Sequence, residues 1–418
     1  MGRTVSALVT WDEECLGTVG PFAVSEPWWA EVEPVAERLR AALGVPVLVL
    51  RLLRAEGGEG ARDGHVTYHV AALERPVHRP LAAGHADLAA LLEPQELRAP
   101  WATLDGLREL LDWASRALKA AGRPLSGPAV QRKTWNLAAL FRLPTGEGPV
   151  WLKATPAFAA DEAAVIGALA RADPTLVPPV IAAGPGRVLL GHLPGEDCWD
   201  ASPPVIESAL RRLAAAQATL ASGQADSTGG IAGLPPGLPP ELPEELPDRR
   251  APVIAERVSA LLDRLAGTGE LTAGEAAAAS GLLSRFPRLA ECGLPDTVVH
   301  GDFHPGNWRG DGGPPALVDF ADASLGNPVF DGLRARDFLP PGKRAVAARA
   351  WAGAWREALP GCDPDKALAI AGPLGHLVSA LRYQEFLDGI EPSERVYHLG
   401  DPAASVRAAL DSARNGNG

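Results

Sequence analysis

The most informative stretch of this 418-residue sequence is Val298-Val299-His300-Gly301-Asp302-Phe303-His304-Pro305-Gly306-Asn307, followed by Leu317-Val318-Asp319-Phe320. The spacing is His-x-Asp, four residues, Asn, and then an Asp closing the next apolar run. That set suits phosphoryl transfer. Asp302 supplies a proton acceptor to stand beside a nucleophilic hydroxyl, whereas Asn307 and Asp319 offer hard oxygens to magnesium on a nucleotide. Pro305 and Gly306 supply the turn chemistry that lets both ends of so short a loop face one cleft. With 9 His, 24 Asp and 5 Asn in the chain, a chance match is expected in fewer than roughly one such sequence in a hundred. His300 alone would read as an ordinary core histidine; inside this motif it organises the loop.

Further candidates lie upstream. Val150-Trp151-Leu152-Lys153 ends an apolar strand on a lysine, one of only five in the chain. A strand lysine is usually a solvated edge charge, but the next helix changes that balance. Glu162 stands with Val165, Ile166 and Leu169 at helical spacing, so an acid falls within the apolar stripe, where an unpaired carboxylate is costly. Lys153 is its natural partner, steered onto the α- and β-phosphates of ATP, and Asp161 should face water. No GxGxxG motif is present. The small polar loop Lys133-Thr134-Trp135-Asn136 is the candidate for backbone phosphate contacts, with Thr134 and Asn136 as nucleotide-binding residues. Gly191-His192-Leu193-Pro194-Gly195 reads as a hinge whose backbone at His192 and Leu193 could pair with an adenine edge.

The elements that must carry these residues follow from hydrophobic period and turn signals. Residues 1–75 read as a small α+β module, with strands at Val5–Val9, Val45–Leu53 and His65–Leu73 and a helix from Pro27 to Leu43. Residues 76–125 form a helical linker. Residues 126–193 read β-β-α-β, with the hairpin loop Pro144–Pro149. Residues 194–418 are mostly helical, with helices at 205–220, 251–266, 273–290, 342–358, 364–388 and 402–413 around short strands at Thr297–His300 and Ala316–Phe320. Between Gly229 and Pro247 prolines recur too often for a helix or central strand, which predicts a surface excursion.

The catalytic stretch, with Val318-Asp319-Phe320-Ala321-Asp322-Ala323-Ser324-Leu325-Gly326-Asn327-Pro328-Val329-Phe330-Asp331, resembles the aminoglycoside phosphotransferase family and its choline kinase and homoserine kinase relatives. The resemblance covers roughly residues 126–390. It implies an α+β, bilobal protein-kinase-like fold and use of ATP and Mg2+ to phosphorylate a small molecule's hydroxyl. Carried over residue by residue, it makes Asp302 the catalytic base or hydroxyl-orienting group and Asn307 and Asp319 the metal ligands. Lys153 with Glu162 becomes the phosphate clamp, and Asp331, with His300 and His304, supports the catalytic loop. Asp319-Phe320-Ala321 lacks the glycine of the protein-kinase triplet, and no Ala-Pro-Glu segment follows, so no protein substrate is expected. The first 125 residues fall outside the resemblance, and they carry no glutamate box of the Nudix kind.

Composition narrows the partners. Lys+Arg 39 against Asp+Glu 51 gives a net charge of −12 with no basic block, which argues against nucleic acid. The hydrophobic fraction of 46% can bury sizeable cores, although Gly 45 and Pro 40 imply many turns. Cys15, Cys198, Cys292 and Cys362 are far apart, suggesting neither zinc nor disulfides and a cytoplasmic location. No apolar run is long enough to span a membrane, and the match of Met1–Ser6 to a myristoylation pattern is read as coincidence. Nine acids (Glu196, Asp197, Asp200, Glu207, Asp226, Glu241, Glu244, Glu245 and Asp248) against Arg211 and Arg212 suggest a cationic acceptor such as an aminoglycoside, amino sugar or amino alcohol. A sugar or homoserine kinase, and a nucleotide-binding regulatory pseudokinase, are the competing readings; the intact Lys153, Asp302, Asn307 and Asp319 argue against the last.

Overall fold

The computed structural model describes residues 2–12, 14–76, 82, 91–223 and 246–415. Most of the predicted Gly229–Pro247 excursion lies outside the described residues, as do Asp226, Glu241, Glu244 and Glu245. Two compact units result: Met1–Pro156 with Gly186–Leu190 and Phe386–Leu399, and Ala157–Pro185 with Gly191–Glu385 and Gly400–Gly418.

The first unit opens with β1 (Arg3–Trp11), β2 (Glu14–Val24), α1 (Glu33–Leu43), β3 (Val47–Glu56) and β4 (His65–Ala72). Its sheet runs β2-β1-β4-β3, with β1 and β4 parallel and the other pairs antiparallel. Val35, Leu39 and Leu43 of α1 pack in a core with Val5, Val9, Val49, Val66, Tyr68 and Val70. The sequence reading misses β2, whose Gly17, Gly20 and Pro21 interrupt the alternation that marks a strand. It also starts the helix too early. The backbone around residue 29 is committed elsewhere: the buried Arg3 guanidinium donates to the Trp28 and Glu31 carbonyls, and Trp29 N donates to Ala61 O at 2.9 Å. The helix therefore begins at Glu33, with Pro34 in its first turn.

Next come α2 (Leu104–Ala120), capped by the Thr103 hydroxyl, then β5 (Val130–Trp135), β6 (Ala138–Leu143) and β7 (Val150–Ala154). After β8 (Val180–Gly184), β9 (Arg187–Gly191) lies beside β7, giving the order β5-β6-β7-β9. The N-terminal sheet and this second sheet are joined by a side chain acting as backbone. Gln131 Nε2 donates to Val49 O at 2.7 Å and its Oε1 accepts from Val49 N at 2.9 Å, satisfying both groups on the outer edge of β3. The late segment Phe386–Leu399 adds a buried charge cluster. Glu391 pairs with Arg51 at 3.2 Å and Arg98 at 2.8 Å, and Glu394 Oε1 accepts from Leu52 N at 3.3 Å. Tyr397 meets Trp29 and Trp135 edge-on, at 5.6 and 5.8 Å between ring centroids.

The second unit holds α3 (Glu162–Ala172), β10 (Glu196–Asp197), α4 (Pro203–Ala221), β11 (Asp248–Arg249), α5 (Ala251–Gly267), α6 (Ala273–Leu282) and α7 (Arg285–Ala290). Then follow β12 (Thr297–Val299), β13 (Trp308–Gly310), β14 (Ala316–Leu317), β15 (Ser324–Gly326), α8 (Val329–Phe338), α9 (Pro341–Ala358), α10 (Pro364–Gly389) and α11 (Asp401–Asn415). The single helix expected over 273–290 is two, because the Pro287 ring would clash with the carbonyl of Leu283 four residues back. Small ladders β10-β13-β14 and β11-β15-β12 carry the loops that hold the motif.

Burial, reinforced by Glu391, pushes the Glu394 carboxyl up to about 8, against the pull of the Leu52 amide, Arg51 and Arg98. The folded chain thus retains a proton that the unfolded chain loses near pH 4, so stability falls as pH rises from about 4 to about 8 and then levels. Glu394→Gln removes that loss and keeps an oxygen for the Leu52 amide. Its melting temperature should exceed the parent's by roughly 2–5 °C at pH 8.5 and match it near pH 4, and an equal or lower value at pH 8.5 would refute the assignment.

Candidate active site

The catalytic loop leaves β12 at Val299, and its first amides are fixed by a carboxylate from the start of α8. Asp331, 1% exposed, accepts from His300 N at 2.8 Å and Gln217 Nε2 at 2.8 Å through Oδ2, and from Gly301 N at 3.0 Å through Oδ1. Burial pushes its carboxyl up, while His300 and these donors pull it down. Gly301 takes φ +82°, and a Cβ there would sit 2.1 Å from Asp322 O, so the loop passes that carbonyl only with glycine. The His300 ring accepts from Asp302 N at 3.3 Å through Nδ1 and faces Val318 O at 3.2 Å through Nε2. A proton on Nε2 satisfies both contacts, and the ring ties the loop to the residue before Asp319.

Asp302 is the centre of the arrangement, with its side chain 24% exposed. Oδ1 accepts from Arg334 Nε at 2.9 Å and Nη2 at 2.6 Å, whereas Oδ2 meets Asn307 Nδ2 at 3.1 Å and His304 Nε2 at 3.3 Å. Burial alone would raise the carboxyl, but Arg334 and His304 outweigh it and hold the group well below the usual carboxylate range. Asp302 is therefore a permanent carboxylate, suited to accepting and aiming a hydroxyl hydrogen. Asn307 Nδ2 also donates to Asp302 O at 2.9 Å, so both amide hydrogens are used and Oδ1 is the atom left for a cation.

Asp319 is exposed and left-handed, with φ +68°, a conformation rare for residues with a side chain and concentrated at functional sites. The next amide is pinned. Glu162 opens α3, is 4% exposed, and accepts from Phe320 N at 2.9 Å through Oε1. Asp161 is exposed, as expected, and caps α3 by accepting from Ala164 N at 3.1 Å. Lys153 is 7% exposed on β7 of the first unit. His192 is exposed and Leu193 half-buried in the segment between β9 and β10.

Two expected nucleotide contacts are not supported. Thr134 and Asn136 belong not to an open phosphate loop but to a tight hairpin between β5 and β6. Thr134 N donates to Ala30 O at 3.0 Å and its hydroxyl to Leu50 O at 3.4 Å, while Asn136 Nδ2 donates to Glu394 O at 3.2 Å. With exposures of 1% and 2%, both serve the packing of the first unit. The sequence reading missed Arg334, although its place one helical turn after the buried Asp331 put both on one face of α8. It also missed Trp199. No local signal marks that residue, because it reaches the loop through a distant ladder: β10 pairs with β13, and Cys198 N donates to Pro305 O at 2.9 Å.

Comparison with known proteins adds an independent line. Residues 118–367 match the model of the Phosphotransferase enzyme family. A search of curated proteins finds no match. Among solved structures, a choline/ethanolamine kinase family protein from Mesorhizobium loti aligns with TM-score 0.50 at 17% identity, over 74% of this chain and 98% of that one. A fructosamine-3-kinase candidate from Thermobifida fusca YX-ER1 aligns with TM-score 0.49 at 23% identity, over 71% and 98% of the two chains. A spectinomycin phosphotransferase solved with ADP and spectinomycin aligns with TM-score 0.45 at 12% identity, over 72% and 98%. The architecture is the α+β, protein-kinase-like one. No helix among the described residues is long and apolar enough to cross a membrane. Because the matched segment takes in well over half of the sequence, including the loop around Asp302 and the carboxylate of Asp319, this chain belongs to the phosphotransferase enzyme family.

Proposed function

We propose that this protein transfers the γ-phosphoryl group of ATP, with magnesium, to a hydroxyl of a small molecule of the amino-sugar or amino-alcohol type. The observation that carries this reading is the split use of Asp302. One oxygen is gripped by Arg334, and the other, which meets Asn307 and His304, would be the one to accept a hydroxyl hydrogen. Phosphoryl transfer asks for little covalent chemistry from the protein, so positioning and charge are most of what these residues must provide.

The donors fit a divalent cation. Among the described residues no cluster of three or more His, Cys, Asp or Glu side chains could hold a metal ion. A site made of the Asn307 amide oxygen and the Asp319 carboxylate suits magnesium, which takes its other ligands from water and phosphate oxygens. When bound, magnesium would neutralise charge on the β- and γ-phosphates. Asp302 would orient the acceptor hydroxyl and take its proton as transfer completes, and Glu162 would keep the backbone after Asp319 in place. Lys153 is proposed for the α- and β-phosphates and the His192–Leu193 backbone for the adenine edge, both on the sequence pattern.

Charge supports a cationic acceptor. Glu196, Asp200 and Glu207 are exposed, Asp197 is exposed but paired with Arg309 at 2.9 Å, and the two arginines of that stretch are engaged elsewhere. Arg211 donates to Glu357 at 2.9 Å and Arg212 to Asp173 at 2.8 Å, which leaves the local field acidic.

Asp302→Ala and Asp319→Ala should each leave a folded protein yet lose roughly 10²–10⁴-fold in turnover, measured as magnesium-dependent ADP release with a competent acceptor. Near-normal phosphorylation by either variant would sink the site. Because Arg334 holds Asp302 ionised, acceptor-dependent turnover in the parent should show no Asp302-linked loss between pH 7.5 and about 5.5. Arg334→Gln lets that carboxyl rise, so its acid limb should move toward neutrality; superimposable pH profiles would show that Arg334 does not tune the group.

A further inference from the structure

Among the described residues, Trp28, Trp199 and Phe338 are the exposed aromatic side chains, at 46%, 46% and 42%, and two of the three meet at the catalytic loop. The indole of Trp199 stacks on His304 at 5.1 Å between centroids and 21° between planes, and Phe338 stacks on the same imidazole at 4.8 Å and 16°. The imidazole is fixed edge-on, with Nδ1 accepting from Gly306 N at 3.0 Å and Nε2 lying 3.3 Å from Asp302 Oδ2. Trp199 packs against the same loop. A Cβ at Gly306 would fall 2.4 Å from its Cζ2, so the indole lies directly over a glycine of the catalytic loop.

Leaving two large rings in water costs free energy, and an unburied aromatic surface beside a reactive group is where a ligand's apolar face gains most. Two ligand chemistries suit such a face: a cation, or the C–H face of a sugar ring. The cation site on Phe338 is already taken, since the Arg334 guanidinium lies 4.4 Å from its centroid. A bare quaternary ammonium placed next to that arginine would meet like charge. An uncharged ring face would not. The indole centroid lies 5.1 Å from the imidazole, whose Nε2 is 3.3 Å from Asp302 Oδ2, so the aromatic surface and the carboxylate oxygen border the same imidazole.

We infer that Trp199, with Phe338 and His304, forms the acceptor platform, and that the acceptor is a saccharide whose pyranose C–H face stacks on Trp199 with a hydroxyl directed at Asp302 Oδ2. Any amino group of that sugar points away from Arg334, toward the acidic stretch that includes Glu196 and Asp200. This rests on the phosphotransferase reading and narrows its acceptor to a ring, against the acyclic choline-like and homoserine-like alcohols.

The test is steady-state ADP release by the full chain with magnesium and ATP. Glucose, glucosamine and kanamycin serve as ring probes; choline, ethanolamine and homoserine serve as acyclic ones. Turnover is expected with at least one ring probe and not with the acyclic set. Trp199→Ala should raise KM for that ring probe about tenfold or more while KM for ATP stays within about twofold, and Trp199→Phe should restore most of the loss. The inference is overturned if an acyclic alcohol is the best acceptor, if Trp199→Ala leaves the ring probe's KM unchanged, or if the parent binds Mg·ATP by calorimetry yet uses no ring probe. Failure to bind Mg·ATP at all would instead remove the phosphotransferase reading beneath it.

Discussion

The candidate site depends on one buried carboxylate that does no chemistry. Asp331 gathers the amides of His300 and Gly301 and the side chain of Gln217, three donors from two separate segments, onto two oxygens. The His300 amide and the Gln217 side chain would otherwise be buried without this partner, and such a group costs about 1–3 kcal/mol, so the loop has little freedom to turn elsewhere. Gln217 extends the constraint by donating to Val298 O at 2.9 Å, while Thr297 returns a hydroxyl to Gln217 O at 2.9 Å. The strand entering the loop, helix α4 and the start of α8 are thereby locked to one another, and Asp302 inherits its position from that lock.

Charge is apportioned around this frame so that each carboxylate keeps one state. Asp331 is drawn toward the proton by burial, whereas Asp302, in the loop whose first amides Asp331 holds, is held ionised by Arg334. Two of the residues that fix Asp302 come from the same helix, Asp331 through the backbone and Arg334 through the side chain. A second network lies alongside: Arg382 of α10 pairs with Asp322, and Glu385 with Arg249, Arg257 and Arg382. Since Asp322 also supplies the carbonyl against which Gly301 packs, the two networks share the loop's tightest point.

Within the first unit, side chains and a late segment tie the N-terminal sheet to the sheet that follows it. Gln131 completes the edge of β3, Thr134 N reaches Ala30 O, and Phe386–Leu399 brings Glu391, Glu394 and Tyr397 into the same packing. These contacts account for the fate of the hairpin at Thr134 and Asn136. Its polar atoms are consumed by neighbours that lie about 80 to 260 positions away in the sequence.

Read alone, the sequence determined whatever is encoded within a few residues. The His300–Asn307 spacing, the amphipathic helices and the exposure of Asp161 all follow from local period or turn chemistry. Glu162 could be recognised as an acid needing a donor because it breaks an apolar stripe, and the Phe320 amide is one such donor. Tertiary structure alone decided that Arg334 grips Asp302, that Trp199 lies over Gly306, and that Thr134 faces β3. Those contacts join segments brought together by the packing of whole elements, and no rule of spacing along a chain encodes which distant groups burial will bring within hydrogen-bonding distance.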